Sequence, residues 1–110
     1  MNLNIENLFS VKNKVGIVSG GSRGIGEMIA SGFLSNGAKV YITARKEDAL
    51  ISKAKELTKK FNIECIPFSV DLSSLDGIKK LKAFIDEREP DGIDFFCLLY
   101  TSDAADDMAS

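Results

Sequence analysis

Short apolar runs alternate along this chain with stretches of helical period. Lys14 to Ser19 (KVGIVS) is rich in Val and Ile and too short for a helix, which predicts a buried strand. Ile25, Ile29 and Phe33 then recur every four residues, and Gly37 stands where a helix takes a left-handed cap. Lys39 to Ala44 (KVYITA) reads as a second strand, and Leu50, Ala54, Leu57 and Phe61 mark a second amphipathic helix. Ile63 to Val70 (IECIPFSV) predicts a third strand. Ile78, Leu81 and Ile85 line a third helix from about Ser74 to Glu89, and Gly92 to Phe96 (GIDFF) begins a fourth strand. The βαβαβαβ order predicts an α/β fold with a parallel sheet. Right-handed crossovers put the first two helices on one face and the third on the other if the strands run 3-2-1-4. No internal repeat or linker interrupts the alternation.

Composition narrows the picture by exclusion. At 110 residues and 45% hydrophobic content the chain holds one compact domain at most. Fourteen basic against sixteen acidic side chains give a formal charge of -2 without any block of like charge, so neither a nucleic-acid nor a membrane footprint is expected. Cys65 and Cys97 have neither the number nor the spacing of a disulfide framework or zinc site, and histidine is absent; no metal is expected, and a reducing compartment is. The opening MNLNIENLF lacks the basic end and apolar run of a signal peptide, and no eighteen apolar residues run together, which points to the cytoplasm.

The chemistry sits in Ser19 to Gly26, SGGSRGIG. Gly20, Gly24 and Gly26 fall between the first strand and the first helix, where the chain turns sharply and a pyrophosphate can approach the backbone at a helix N-terminus. Glycine turns also join strands to helices that bind nothing, so the strand-turn-helix setting carries the inference. A P-loop would need Gly-Lys-Ser/Thr at the helix start, whereas this chain has Gly24-Ile25-Gly26-Glu27.

At these residues the sequence resembles the short-chain dehydrogenase/reductase family, whose pattern is Thr-Gly-x-x-x-Gly-x-Gly, with Ser19 replacing the usual Thr. The likeness runs from about Phe9 to Phe96 and is nearest the branch of 3-oxoacyl-carrier-protein reductases and related sugar or polyol dehydrogenases. It implies a Rossmann-like doubly wound sheet, here ending after its fourth strand, and a cofactor cradle of Ser19, Gly20, Ser22, Arg23, Gly24, Ile25 and Gly26. In the family an acid ending the second strand bonds the ribose of NAD, and a base accommodates the 2'-phosphate of NADP. Here Thr43-Ala44-Arg45-Lys46 offers no acid, and Arg23 can add a second cation, so NADP is expected over NAD. The competing reading makes Arg45 and Lys46 solvated loop charges. The resemblance further implies that Asp71 bonds the adenine amino group and that Leu72 donates a backbone N–H; Asp71 also reads as an N-terminal cap for the third helix. A small-molecule carbonyl or alcohol substrate and a homo-oligomeric full-length protein are implied as well.

After Phe96 the resemblance stops. The family's Asn-Asn-Ala-Gly, its catalytic Ser and its Tyr-x-x-x-Lys pair do not follow: Tyr41 is followed four residues on by Arg45, and Tyr100 by Ala104. The family's tyrosine moves the substrate proton while its lysine lowers the tyrosine pKa, so no catalytic residue is assigned and this chain is expected to be inactive. Cys97 to Asp107 (CLLYTSDAADD) resembles the translated read-through of a transposase adapter used in sequencing libraries. Residues 1–96 are therefore expected to be the N-terminal part of an NAD(P)-binding domain, and residues 97–110 a non-native, disordered tail. Cys97, Leu98 and Leu99 are expected to prolong the fourth strand, leaving a bare sheet edge and poor solubility. Two alternatives stay open: a non-catalytic dinucleotide-binding module, and another enzyme of the same layered fold such as a methyltransferase, against which the missing acid at Thr43 to Arg45 counts.

Overall fold

The computed structural model describes residues 11–20 and 24–98. The elements run β1 (Val15–Ser19), α1 (Gly24–Ser35), β2 (Lys39–Ala44), α2 (Glu47–Phe61), β3 (Cys65–Ser69), α3 (Leu75–Arg88) and β4 (Phe95–Cys97). The four strands are parallel in the order β3-β2-β1-β4, as the alternation requires. Val18, Val40, Ile42 and Cys65 pack against Ala30 and Leu34 of α1 and Leu50, Ala54 and Leu57 of α2. On the opposite face Ile17, Tyr41 and Ile66 meet Leu81 and Ile85 of α3. The two-and-one distribution of helices thus follows the handedness rule.

Three details depart from the sequence expectation. The stripe expected to seat α1 was Ile25, Ile29 and Phe33, but Ile25 is 65% exposed and the buried line is Gly26, Ala30 and Leu34. Ile29 and Phe33 only flank it. Small residues let a helix approach a sheet closely, so the contact line is shifted one position from the largest side chains. In α3 the expected Leu81 and Ile85 are buried, and only Ile78 departs: it is half exposed, and Gly77, one position before it, is buried instead. The strands are also shorter: β1 starts at Val15, β3 spans only Cys65–Ser69, and β4 begins at Phe95 rather than Gly92. Asp94 accounts for the last, since its carboxylate accepts from Val15 N at 2.8 Å while its own N–H donates to Val15 O at 2.7 Å. Cys97 does extend β4, Leu98 lies beyond the strand, and Leu99 falls outside the described residues.

Local chemistry fixes the helix ends. Gly37 takes φ 93° after α1, as expected of a left-handed cap, and its N–H donates to Leu34 O at 3.0 Å. Asn62 closes α2 at φ 56°, its N–H donating to Thr58 O. The Thr58 hydroxyl then clasps Cys65, donating to its carbonyl at 3.2 Å and accepting from its N–H at 3.0 Å, which ties α2 to the start of β3. Pro67 is tolerated in β3 because that strand is the sheet edge.

Packing is closest where β4 joins. Phe95 pairs in register with Gly16 and lies 4.2 Å, centroid to centroid, from Phe33. A Cβ on Gly16 would sit 1.9 Å from the Phe95 ring. At the N-terminal end of β2 a polar cluster closes the α3 side. Lys39 Nζ and Tyr41 Oη donate to Glu89 Oε2 at 2.6 and 2.5 Å, and the Arg88 guanidinium lies against the Tyr41 and Phe84 rings. Burial pushes the Glu89 carboxyl up, but the bonds from Lys39 and Tyr41 outweigh it and hold the group below its usual range.

Gly16→Ala should destabilise the fold by about 1–3 kcal/mol through overpacking on Phe95, whereas Gly32→Ala, at a helical site with open space around it, should stabilise by about 0.5–1 kcal/mol. Urea titration of the two variants checks both signs. Because the folded pKa of Glu89 is depressed, its contribution is present above its usual 4.5 and disappears as pH falls through the lowered value. Glu89→Gln should therefore cost about 1 kcal/mol near pH 7 and progressively less in acid, as melting curves across pH 3–7 will show.

Candidate functional site

The C-terminal ends of the strands converge on one edge of the sheet, where an open α/β sheet places its ligand crevice. Ser19 ends β1, half-buried, and Gly20 follows it at φ 77°. Gly24 opens α1 at φ 63°, a conformation that disfavours any Cβ, and the space around it is open, so the backbone there is accessible to a ligand. Ile25 is exposed beside it and Gly26 is buried against the sheet. Ser22 and Arg23 lie outside the described residues.

Backbone bonds tie the ends of the three strands together through β2. Gly20 N donates to Thr43 O at 2.7 Å, Val70 N donates to Ala44 O at 3.0 Å, and the Ser69 hydroxyl donates to Arg45 O at 3.0 Å. Gly20, Arg45 and the start of the Asp71–Leu72 segment are thereby held in fixed relation. Arg45 is exposed, with its backbone pinned and its guanidinium free to reach solvent-borne groups. No carboxylate occurs from Thr43 to Lys46.

Asp71 is also exposed, and its geometry corrects one expectation. The N-cap of α3 is Ser74, whose hydroxyl accepts from Gly77 N at 3.0 Å; Asp71 does not cap the helix. A capping oxygen bonds the amide two or three residues on, and three residues on from Asp71 is Ser74, still ahead of the helix. The Asp71 carboxylate instead forms a local turn in which Oδ1 accepts from the Ser73 hydroxyl at 2.6 Å and from Ser73 N at 2.9 Å. Those two bonds, with the charge of Arg45 adding to them, hold its carboxyl below the usual range, so it is an anion and an acceptor at neutral pH. Leu72 is half-buried and packs on the α3 side of the core.

Between the ends of β2 and β3 and the first turns of α3 lies a cavity of about 380 Å³, lined by Arg45, Ser69, Asp71, Ser74, Gly77 and Lys80 among others. Two sequence-predicted residues, Arg45 and Asp71, thus meet in one recess. Ser69, Ser73 and Ser74, which position them, were not anticipated. The only sequence signal for Ser73 and Ser74 is the hydroxyl pair after VDL, which reads equally as a helix start, and Ser69, just before VDL, has none. Redox or nucleophilic use of Cys65 is excluded by burial, which pushes its thiol up to about 12. Among the described residues no helix is long and apolar enough to cross a membrane.

A parallel β3-β2-β1-β4 sheet with a glycine turn feeding a helix N-terminus defines a nucleotide-binding domain of Rossmann type. The sequence pattern of the short chain dehydrogenases matches residues 14–97, and the chain belongs to that family. It is 42% identical over 79 residues to the rhamnolipids biosynthesis 3-oxoacyl-[acyl-carrier-protein] reductase of Pseudomonas aeruginosa, covering 72% of this chain and 30% of that protein. It is 45% identical over 78 residues to the short-chain dehydrogenase/reductase PhomF of Diaporthe leptostromiformis, covering 71% of this chain and 26% of that one. Among solved structures it is similar to a Pseudomonas aeruginosa RhlG/NADP active-site complex, with a TM-score of 0.76 and 36% identity over 83% of this chain and 36% of that one. It is also similar to L-sorbose reductase from Gluconobacter frateurii complexed with NADPH and L-sorbose, with a TM-score of 0.74 and 30% identity over 77% and 32%. The chain spans between a quarter and a third of the length of these curated relatives.

Proposed function

We propose that this chain is the nucleotide-binding part of an NADP(H)-dependent oxidoreductase that interconverts carbonyl and hydroxyl groups, of 3-oxoacyl-carrier-protein reductase type. The observation that carries the reading is the end of β2: Arg45 is exposed, its carbonyl is pinned by Ser69, and no acid stands at Thr43, Ala44 or Lys46 to bond a free ribose hydroxyl. A guanidinium there matches a 2'-phosphate in charge and in fork geometry. The NADP and NADPH complexes of the two structural relatives support it.

The chain's own residues bind and orient in this reading. Backbone N–H groups of Gly24 to Gly26, at the start of α1, would receive the pyrophosphate, and Ser22 and Arg23, outside the described residues, are assigned to the same cradle from the sequence alone. Asp71 accepts from the adenine amino group while Leu72 donates its N–H. The nicotinamide, when bound, supplies or accepts the hydride. Residues 1–96 are the nucleotide-binding part of the whole protein, which in this proposal is a cytoplasmic homo-oligomer acting on a small-molecule carbonyl or alcohol.

Fluorescence titration of the purified chain with NADPH and NADH tests the assignment. NADPH should bind roughly tenfold tighter or more, the worth of a charged hydrogen bond, and Arg45→Asp should reverse or abolish the preference while leaving NADH within a fewfold. Equal affinities in the wild type would sink it.

A further inference from the structure

Gly77 stands in the first turn of α3, where glycine costs helix stability and nothing in its backbone calls for it: its φ is not among the positive ones. The space around it does. A Cβ on Gly77 would lie 1.8 Å from the carbonyl oxygen of Asp71 and 2.7 Å from its carbonyl carbon, both backbone atoms that no side-chain rotation can move away. The same carbonyl accepts from Ser74 Oγ at 3.2 Å, and Ser74 Oγ in turn accepts from Gly77 N at 3.0 Å. Gly77, Ser74 and Asp71 therefore form a closed knot in which the first turn of the helix rests directly on the backbone of the aspartate. Asp71 Oδ1 is already committed to Ser73, so the carboxylate turns with its own backbone.

We infer that Gly77, together with Ser74, is a positioning residue for ligand selection: by letting α3 seat on the Asp71 carbonyl, it sets where the Asp71 carboxylate stands in the cavity that Arg45, Asp71, Ser74 and Gly77 share. This rests on Asp71 being the adenine contact proposed above. It goes beyond that proposal in assigning the choice of base to a residue that acts through the backbone of Asp71. Any side chain at position 77 lifts the helix from Asp71 or pushes the Asp71–Leu72 segment outward, and a displacement of a few tenths of an ångström suffices to lengthen a hydrogen bond to the base.

The readout is discrimination between bases and not affinity alone. Adenine presents an amino donor to the carboxylate; hypoxanthine presents a carbonyl oxygen, an acceptor that Asp71 rejects. The purified chain is titrated with NADPH and with its deaminated analogue, reduced nicotinamide hypoxanthine dinucleotide phosphate. The wild type should prefer the adenine form roughly tenfold or more, and Asp71→Asn should erase the preference. Gly77→Ala should bring the ratio to within about threefold of unity, with the larger loss of affinity on the adenine form. Ser74→Ala, which adds no steric load, should do the same in smaller degree, and decides the matter if circular dichroism shows that Gly77→Ala has lost its helices. A preference intact in both variants but erased by Asp71→Asn overturns the role of Gly77 and Ser74 and leaves the Asp71 contact standing. No preference in the wild type, or no binding of either form, removes the Asp71 contact and this inference with it.

Discussion

The whole arrangement depends on β2 being buried on both faces. Val40 and Ile42 face α1 and α2, Tyr41 faces α3, and Thr43 is buried as well, all with almost no exposed surface. A strand sandwiched in this way cannot shift register without carrying apolar groups into water or polar ones into the core, so its carbonyls are fixed points. Two of them, on Thr43 and Ala44, accept from Gly20 and Val70, and the carbonyl of Arg45, the next residue, accepts from Ser69. Gly20 after β1 and the loop after β3 thus inherit their positions from a strand that contributes almost no side chain to the site itself.

The two ends of β2 divide the work. At its N-terminal end Lys39, Tyr41, Arg88 and Glu89 form a compact polar cluster in which the acid is bonded twice and the phenol once as donor, so burial is compensated. Tyr41 is pushed above its usual pKa by burial and then by its bond to Glu89, the state of a phenol that keeps its proton and holds structure together. At the C-terminal end Arg45 and Asp71 are exposed, and most of their bonds come from serine hydroxyls: Ser69 and Ser74 donate to their main-chain carbonyls and Ser73 to the Asp71 carboxylate. Stability is thereby concentrated where no ligand is expected, and the opposite end keeps its charges available to solvent.

Most of the fold was legible because parallel strands covered on both faces read as unbroken apolar runs, and those runs alternate here with helical spacing. Element order, parallel pairing and the distribution of the helices all followed. What was misread concerns closeness. Large apolar residues at Ile25 and Ile78 suggested contact lines, whereas the structure presses Gly26 and Gly77 to the core, because the helix face nearest a sheet is set by the smallest side chains and hydrophobicity alone does not report it. The glycine turn, Arg45 and Asp71 were legible from spacing after a strand. Ser73, Ser74 and Gly77 were not, since each acts through a neighbour's backbone carbonyl or carboxylate, a contact with no composition of its own.

That distinction separates the glycines of this chain by cause. Gly20 and Gly24 are demanded by conformation, Gly16 and Gly77 by the nearness of another group, and Gly32 by neither among the described residues. A helix interior penalises glycine, so one that persists there without a conformational reason points to a contact that a methyl group would break. At Gly16 the contact is the Phe95 ring and the consequence is packing of the edge strand. At Gly77 it is a main-chain carbonyl belonging to the loop that carries Asp71, and main chain cannot rotate aside. The same steric argument therefore leads in one case to the core and in the other to the site, and what distinguishes them is only whether the atom being approached belongs to a side chain that fills space or to a segment that presents a charge.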